Sequence, residues 1–357
     1  MKRLLFGVQA TGNGHITRAN VLVPKLRKIG FEVDVLLSGR ERQKLFGLET
    51  FGHYRTRRGF SFVLDDGRVN ALRTLCQSDV GRFIRDIKDL DVHNYDLVLT
   101  DFEPVTAWAA KTQGKKSIGI GHQYAFNYPV PKQPLYYGSK TIMKNFAPAD
   151  VEIGLHWDAF GAPILPPIIA SGLNYCAPRW KSYLVYLPFD DVPRVTEFLR
   201  RYPDYHFIYY ASVSDQLEQE NITIKPYSRT HFSQDLMSVE GVVCGAGFEL
   251  PSEVLSLGKK LLVQPLAGQF EQLCNAQALT LLASAHVMHR FDDRVMKRFL
   301  RAPAPASIKY PDVAQALVEW LADGAREPIS GLSKRLWTSA ENNPNSVASR
   351  LGNAWAL

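Results

Sequence analysis

The sequence predicts an α/β protein made of two doubly wound parallel-sheet domains. The chain has 357 residues, more than a single hydrophobic core usually spans. Short apolar segments alternate with amphipathic ones, as strands and helices do in parallel sheets. This alternation restarts after a proline-rich stretch at about 160–180. Each half is therefore expected to form its own sheet.

The first half opens with a strand, a glycine-rich loop and a helix. Arg3–Gln9 is the strand, and apolar residues on one face indicate a helix that ends at Gly30. The following elements alternate in the same way: strand Phe31–Leu37, strand Tyr95–Thr100, helix Pro104–Thr112 and strand Lys116–Gly121. We place the first domain at residues 1–165.

The second half repeats the alternation. Its predicted strands are Ser182–Leu187, His206–Ala211, Ile222–Lys225, Gly241–Cys244 and Lys260–Gln264. Its predicted helices are Val192–Arg201, Pro251–Leu257 and Phe270–Leu282. We place the second domain at residues 180–335. Doubly wound sheets bind ligands outside the carboxyl ends of their strands, so a cleft between the domains is expected.

Composition excludes several classes of protein. Hydrophobic residues make up 46% and charged residues 22%, a balance typical of globular rather than disordered chains. No apolar run reaches the length of a membrane span, and we expect a cytoplasmic protein without a signal peptide. The cysteines form no CxxC pair, which argues against a zinc knot or a disulfide framework: Cys76, Cys176, Cys244 and Cys274.

Positive charge is concentrated in the first half of the chain. The formal net charge is +7, with +8 in residues 1–180 and −1 in residues 181–357. Two basic segments, 40–44 and 53–58, could attract phosphates, an anionic membrane or nucleic acid, or could form a solvated basic face. Scattered arginines and aromatics do not make a recognised RNA or DNA module, so we expect no nucleic-acid partner.

The first loop contains part of a dinucleotide-binding pattern. Gly12 and Gly14 match the first two glycines of GxGxxG, but Thr17 replaces the third and no acid follows the second strand. A nicotinamide site is disfavoured, although Arg40 leaves an NADP site open. The loop also places His15 beside helix amides that attract negative charge. His15 can act as a general base or simply begin a helix.

A longer pattern follows the strand Gly241–Cys244, in the order glycine turn, helix, strand, loop, helix. Gly245 and Gly247 allow the turn to bring free amides against a diphosphate. The Glu253 carboxylate can accept hydrogen bonds from two ribose hydroxyls. The next helix opens with polar residues that can bind sugar hydroxyls: Glu271, Gln272 and Asn275. The same residues could instead be turn glycines and polar helix caps without a ligand.

These residues resemble the nucleotide-sugar signature of GT-B glycosyltransferases, especially the group containing the lipid II-forming UDP-N-acetylglucosaminyltransferase and the UDP-glycosyltransferases. The matching positions are Ser252-Glu253, Gly258, Pro265 and Glu271-Gln272-Leu273-Cys274-Asn275-Ala276. Gly12-Asn13-Gly14-His15 is similar to the glycine-rich loop of that group. The resemblance implies a GT-B fold, two Rossmann-like domains facing a central cleft, with a tail at 336–357 that returns to the first domain.

The resemblance implies roles for residues of the second half. Ser252 would contact the donor, and Glu253 would bind its ribose. Gly245 with Gly247 would face the diphosphate. Glu271 and Gln272 would contact the transferred sugar, and Asn275 would support their loop. Two departures from the family pattern stand out: Lys259-Lys260 in place of a Val-Pro step, and the acidic turn Asp190-Asp191 where relatives offer small residues to phosphate.

The resemblance also implies roles for two loops. Gly12, Asn13 and Gly14 would contact the donor, and His15 would take the proton of the acceptor hydroxyl. Tyr227 would lie beside the nucleobase. The expected activity is transfer of a sugar from a nucleotide sugar, with UDP favoured, to a hydroxyl acceptor by direct displacement at the anomeric carbon. Because the first domain would receive the acceptor, its charge of +8 fits an anionic or lipid-linked intermediate of a cell-envelope polysaccharide, or peripheral contact at the inner membrane face.

We expect neither a cofactor nor a metal. Asp89-Leu90-Asp91 spells the DxD pair that other glycosyltransferases use to hold a cation, but it follows a predicted helix, where solvated charge is the simpler account. Two alternatives stay open. A nucleotide-sugar 2-epimerase would share the donor site, and a non-catalytic nucleotide-sugar sensor would bind the donor without needing His15.

Overall fold

The computed structural model describes residues 2–59, 64–65, 68–69, 79–133, 144–170, 172 and 177–341. The chain divides into two compact units. The first contains the described residues of Met1–Asp65, Val69–Ala170 and Tyr310–Asn343. The second contains those of Asp66–Arg68 and Ser171–Lys309. Among the described residues, no helix has the length and apolarity needed to cross a membrane.

The first unit is a parallel sheet with helical crossovers. Its elements, in chain order, are β1 (Lys2–Gln9), α1 (Asn13–Lys28), β2 (Phe31–Ser38), β3 (Tyr54–Arg57), the short β4 (Leu64–Asp65) and β5 (Arg68–Val69), α2 (Val80–Lys88), β6 (Leu97–Asp101), α3 (Pro104–Thr112), β7 (Ser117–Gly121), α4 (His122–Ala125) and β8 (Val151–Gly154). The main sheet has the order β3-β2-β1-β6-β7-β8, with every pairing parallel.

The core of the first unit follows from its apolar strands. Leu4, Leu5, Phe6 and Val8 of β1 are fully buried, because the central strand of a parallel sheet is covered on both faces. The basic segment 53–58 contains the edge strand β3. There the Arg55 guanidinium donates to the Tyr95 hydroxyl at 2.6 Å. At least one arginine of this basic segment therefore makes a hydrogen bond within the first unit.

The second unit contains a seven-stranded sheet. Its elements are β9 (Ser182–Tyr186), α5 (Val192–Arg200), β10 (His206–Ala211), β11 (Leu217–Gln219), β12 (Ile222–Pro226), α6 (Arg229–Ser238), β13 (Gly241–Gly245), α7 (Glu249–Ser256), β14 (Lys260–Gln264), α8 (Phe270–Leu281), β15 (His286–Val287) and α9 (Asp293–Arg301). The strand order is β11-β12-β10-β9-β13-β14-β15. The β11–β12 pair is antiparallel, and the other pairs are parallel.

The last two described helices, α10 (Val313–Ala322) and α11 (Ile329–Glu341), belong to the first unit. The Ser333 hydroxyl and the Trp337 indole N–H both donate to the Ile164 carbonyl, at 2.8 and 2.7 Å. The chain thus rejoins the first unit at Tyr310, earlier than the predicted tail at 336. Residues 342–357 of that tail lie outside the described residues.

The fold agrees with the predicted class: two α/β units, each with a largely parallel sheet. Each sheet has one point where the chain changes direction of winding, between β1 and β6 in the first and between β9 and β13 in the second. Loops leaving such a pair of strands diverge to opposite faces and open a crevice at the carboxyl edge. The two predicted glycine-rich motifs follow β1 and β13 and therefore lie at these points.

Candidate functional site

The carboxyl edge of the first sheet brings a histidine and a buried acid together. β1 and β6 are parallel neighbours with Val8 opposite Asp101, so the loop after β1 begins where β6 ends. His15 lies in the first turn of α1, and its Nδ1 is 2.7 Å from Asp101 Oδ1. The Asp101 side chain is fully buried, while that of His15 keeps 13% of its surface exposed.

A buried arginine completes this cluster. Arg18 Nε donates to Asp101 Oδ2 at 2.7 Å, and Arg18 Nη2 donates to Oδ1 at 2.6 Å. Burial alone would raise the pKa of Asp101, but the adjacent Arg18 and His15 outweigh it and hold that pKa below its ordinary value. An ionised carboxylate beside Nδ1 favours the ring proton on that nitrogen. In the neutral ring with that tautomer, the lone pair lies on Nε2.

The glycine-rich loop leaves room at the start of α1. Gly12 is the N-cap residue in an extended conformation, with no side-chain cap, and a Cβ there would meet nothing within 4 Å. Asn13 is held from the side: its Oδ1 accepts from Arg40 Nη1 at 2.9 Å, while Arg40 Nη2 donates to the Thr11 carbonyl. Arg40, which left an NADP site open in the sequence, therefore serves to fix this loop. Gly14 continues the first helical turn.

The second glycine turn lies at the corresponding edge of the second sheet. Gly245 ends β13, and Gly247 faces open space, since an added Cβ would have no atom within 4 Å. Asn275 is fully buried, and its Nδ2 donates to the Ala246 carbonyl at 3.0 Å. Asn275 thus braces the turn between the two glycines, whereas the sequence predicts that it supports the loop of Glu271 and Gln272.

The two residues of the Ser-Glu motif lie side by side on helix α7 but differ in burial. Ser252 is fully buried, and its hydroxyl donates to the Phe248 carbonyl at 2.7 Å, so this side chain belongs to the helix interior rather than to a ligand-facing surface. Glu253 is only partly buried. Burial raises the pKa of Glu253 to about 7, and the Arg229 guanidinium opposes that rise. In the described part of the chain, no hydrogen-bond donor reaches this carboxylate.

The start of α8 approaches the glycine turn. Gln269 caps this helix by accepting from the Gln272 amide, and Gln272 Oε1 accepts from the Leu266 amide at 3.0 Å. A Cβ placed on Gly245 would lie 3.5 Å from Gln272 Oε1, so this side chain borders the turn. Glu271 is half-buried in the first turn of the same helix.

An aromatic cluster follows β12. The Tyr227 ring lies 6.0 Å from the Tyr186 ring in an edge-to-face arrangement, and the Phe232 ring lies 5.5 Å from Tyr186 in the same kind of arrangement. Arg229 opens α6 two residues after Tyr227, and its charge acts on Glu253. The segment predicted to contact a base and the carboxylate predicted to bind a ribose therefore belong to one neighbourhood.

Both departures from the family pattern have structural explanations. The buried Lys259 ammonium donates to the Met237 and Val239 carbonyls, which are left free where α6 ends. Asp190 follows β9 and accepts from Gln264 Nε2 at 3.1 Å, so the two strands flanking β13 are joined at the carboxyl edge. Burial raises the pKa of Asp190 despite the nearby Arg194.

The DxD sequence has a local structural role. Asp91 Oδ1 accepts from the His93 amide at 2.9 Å, which closes a turn, and Asp89 caps the end of α2. Over the described ranges, no group of three or more metal-ligating side chains converges. Cys244 and Cys274 are buried free thiols, while Cys76 and Cys176 lie outside the described residues.

Sequence reasoning missed Asp101 and Arg18. Asp101 directly follows the predicted strand Tyr95–Thr100, is the last residue of β6, and contacts a histidine 86 positions earlier. Its signal is an acid placed directly after four apolar or neutral strand residues, and Arg18 is a charged residue on the buried side of an apolar helix. Both are unusual placements, because charged side chains are seldom fully buried without a partner.

Comparison with known proteins places the chain in a family. The sequence profile of glycosyl transferase family 1 matches residues 2–303. The chain belongs to this family. It is a glycosyltransferase, and the predicted GT-B fold is confirmed by its structural neighbours. No curated protein sequence matches this glycosyltransferase.

Solved structures similar to this glycosyltransferase match it along most of their length. The glycosyltransferase of kitacinnamycin is 16% identical, with a TM-score of 0.57, over 94% of this chain and 95% of the other. SsfS6 from Streptomyces sp. SF2575, complexed with thymidine diphosphate, is 14% identical, with a TM-score of 0.57, over 99% and 100%. The spinosyn forosaminyltransferase SpnP is 13% identical, with a TM-score of 0.56, over 100% of both chains.

Proposed function

We propose that this glycosyltransferase transfers a sugar from a pyrimidine nucleotide sugar, UDP-linked in our preferred assignment, to an acceptor hydroxyl. The second unit would hold the donor at Gly245, Gly247 and Glu253, and the first unit would supply His15 as the base. The thymidine diphosphate in the SsfS6 complex supports a pyrimidine donor. The closer likeness to the lipid II-forming group rests on the Gly245–Ala276 motif and is part of this proposal.

The observation that carries the donor assignment is the state of Glu253. Its carboxylate has a raised pKa, and within the described residues it receives no hydrogen bond. A carboxylate that is partly desolvated and left without donors destabilises the fold, so such groups concentrate at functional sites. Two ribose hydroxyls would supply the missing donors. Gly247, with open space beside its backbone, would let the diphosphate reach the amides at the start of α7.

The proposed mechanism uses groups at the carboxyl edge of each sheet. His15 Nε2 would remove the acceptor hydroxyl proton while the acceptor oxygen forms its bond to the anomeric carbon. The bond from that carbon to the diphosphate oxygen breaks, and the nucleoside diphosphate leaves with the electron pair. Asp101 would hold the ring and stabilise the imidazolium that forms. Helix amides at the glycine turn would stabilise the leaving charge, so we propose that transfer needs no metal.

We propose that the acceptor is anionic or lipid-linked and that the protein contacts an anionic membrane face from the cytoplasm. Support comes from the basic excess of residues 1–180 and from a shallow hollow on the second unit lined by four cations: Arg294, Lys297, Arg298 and Arg301. Polybasic surfaces bind anionic lipid electrostatically. Sedimentation with liposomes at low salt tests this, and binding that ignores lipid charge would contradict it.

The donor proposal is tested by thermal shift with UDP, GDP, dTDP and NADP, because a bound ligand raises the melting temperature with its occupancy. We expect UDP or dTDP to stabilise the protein and GDP and NADP to leave it unchanged. Incubation with labelled UDP-N-acetylglucosamine without acceptor provides the second test. Conversion of the sugar to its 2-epimer would contradict transfer. Tight donor binding, together with a His15→Ala variant whose measured output equals that of the wild type, would indicate a sensor.

A further inference from the structure

Arg18 is a buried cation to which the proposed mechanism assigns no role. It lies one turn after His15 on α1 and is 1% exposed. Its guanidinium holds both oxygens of Asp101, at 2.7 and 2.6 Å. Two parallel N–H···O bonds are the strongest arrangement of an arginine and a carboxylate. The carboxylate that orients His15 is therefore already neutralised by a fixed positive charge.

The same guanidinium also approaches the histidine ring. Arg18 Nη2 lies 3.1 Å from His15 Nδ1. The shorter contact of 2.7 Å between Nδ1 and Asp101 Oδ1, together with the ionised state of that carboxylate, assigns the ring proton to Nδ1. Both nitrogens then carry hydrogens, so the 3.1 Å approach brings two positive edges together. A further positive charge on the ring is opposed by this contact.

We propose that Arg18 is a positioning residue that keeps the His15 ring neutral, with its proton on Nδ1 and the Nε2 lone pair ready for the acceptor hydroxyl. This inference rests on the proposed role of His15 as the general base. A bare Asp101 carboxylate would favour the imidazolium, which cannot accept a proton. With Arg18 in place, the two charges offset each other at the ring while Asp101 still fixes its orientation.

Other titratable side chains of the surrounding elements have partners of their own: Arg40, Glu103, His122 and Tyr124. Arg40 bonds to the loop before α1, and Glu103 accepts amide hydrogen bonds at the start of α3. His122 directs its Nδ1 to the carbonyl of residue 155, and Tyr124 directs its hydroxyl to the carbonyl of residue 147. These groups are unchanged in the variants below, so a shift in the titration of His15 reports on Arg18.

The test is NMR of the histidine rings in the full chain, titrated between pH 5 and pH 9. The His15 signal is assigned by its loss in His15→Gln. We expect Arg18→Met to raise the pH midpoint of the His15 titration by about one to two units, the effect of an unopposed carboxylate within about 4–6 Å. An unchanged or lowered midpoint would overturn the proposal.

A second pair of variants protects the test against misfolding, because Arg18→Met strands a buried carboxylate and such changes are strongly destabilising. Asp101→Asn is compared with Asp101→Asn combined with Arg18→Met. This comparison removes the cation from a site that no longer contains an anion. We expect the midpoint to be about one unit higher in the double variant. Equal midpoints contradict an electrostatic role for Arg18.

Arg27 provides the matched control. It lies on the same helix and donates to the Thr50 and Phe51 carbonyls, so Arg27→Met also removes an arginine with structural hydrogen bonds. In Arg27→Met, the pH midpoint of the His15 titration should equal that of the wild type. An equal shift in Arg27→Met and Arg18→Met would mean that loss of any structural arginine on α1 changes the midpoint, and it would contradict a specific role for Arg18. Donor and acceptor are absent from this experiment. Failure of the proposed function would show separately, as absent nucleotide binding in the thermal-shift test or as absent sugar transfer in an activity assay.

Discussion

Donor affinity is expected to increase with pH because of Glu253. Burial raises the pKa of this carboxyl to about 7, with Arg229 acting against the rise. The ionised form accepts hydrogen bonds at both oxygens, whereas the protonated form has lost part of that capacity. For a pKa near 7, the ionised fraction grows roughly tenfold between pH 6 and pH 8. Affinity for a nucleotide sugar should therefore rise about tenfold, or about 1.4 kcal/mol, over that range.

The assay is calorimetric titration with intact UDP-glucose, whose bridged diphosphate keeps its charge over this range, whereas a terminal phosphate titrates near pH 6. Glu253→Gln should remove the pH dependence and weaken binding at pH 8 by roughly 10- to 100-fold, the loss of a charged hydrogen-bond acceptor. Glu197→Gln is the control, since that side chain is 76% exposed on α5. A flat wild-type profile, or a slope that survives in Glu253→Gln, would refute the reasoning.

Further predictions concern stability, the glycine turn, the base and metals. Because burial raises the pKa of Glu253 to about 7, its ionisation lowers the free energy of unfolding as pH rises from about 4.5 to about 7. Glu253→Gln should therefore stabilise the protein by up to about 3 kcal/mol at pH 8 and leave its stability unchanged at pH 4. Equal shifts of the melting temperature at the two pH values would contradict this. Gly245→Ala and Gly247→Ala should weaken donor binding without loss of stability, since their Cβ atoms would make at most ordinary contacts; Gly154→Ala, with backbone at 2.7 Å, should lower the melting temperature instead. His15→Gln should lower the transfer rate about 10²- to 10⁴-fold with donor affinity unchanged, and a loss of affinity would contradict its assignment as base. Transfer should proceed at full rate in chelator, and a rate restored only by added divalent cation would contradict metal-free catalysis.

Local pattern was enough to predict the helices and strands that carry the two motifs. The run of apolar residues before Gly12 and the turn between Gly245 and Gly247 both lie where strands end and helices begin. The elements of a parallel sheet are recognisable in the sequence, because buried strands are continuous apolar runs and crossover helices are amphipathic. Glu253 was predictable for the same reason, as its position on α7 follows from spacing alone.

Contacts between distant segments were not predictable in this way. The pairing of His15 with Asp101 depends on the neighbouring positions of β1 and β6, and strand order is not encoded in local periodicity. Ser252 shows the opposite error. Its place beside Glu253 in the motif suggested ligand contact, but the helix turns it inward to the Phe248 carbonyl. The basic segment 53–58 was recognised from its charge alone, and the strand β3 within it was not predicted.

The charge asymmetry of the sequence proved to be an incomplete guide to surfaces. The second half has a net charge of −1, yet helix α9 places four cations at helical spacing on one exposed face: Arg294, Lys297, Arg298 and Arg301. Net charge averages over a whole segment, whereas a helix sorts residues three and four apart onto one side. The net charge of a segment therefore does not predict the charge of one helix face within it.

The most direct test of the central claim is a crystal structure of the protein with an intact UDP-sugar. The account predicts both ribose hydroxyls within about 2.6–3.2 Å of the Glu253 carboxylate and the diphosphate against the amides that follow Gly245. A nucleotide bound at another edge of the second sheet, or a ribose that leaves Glu253 uncontacted, would contradict it.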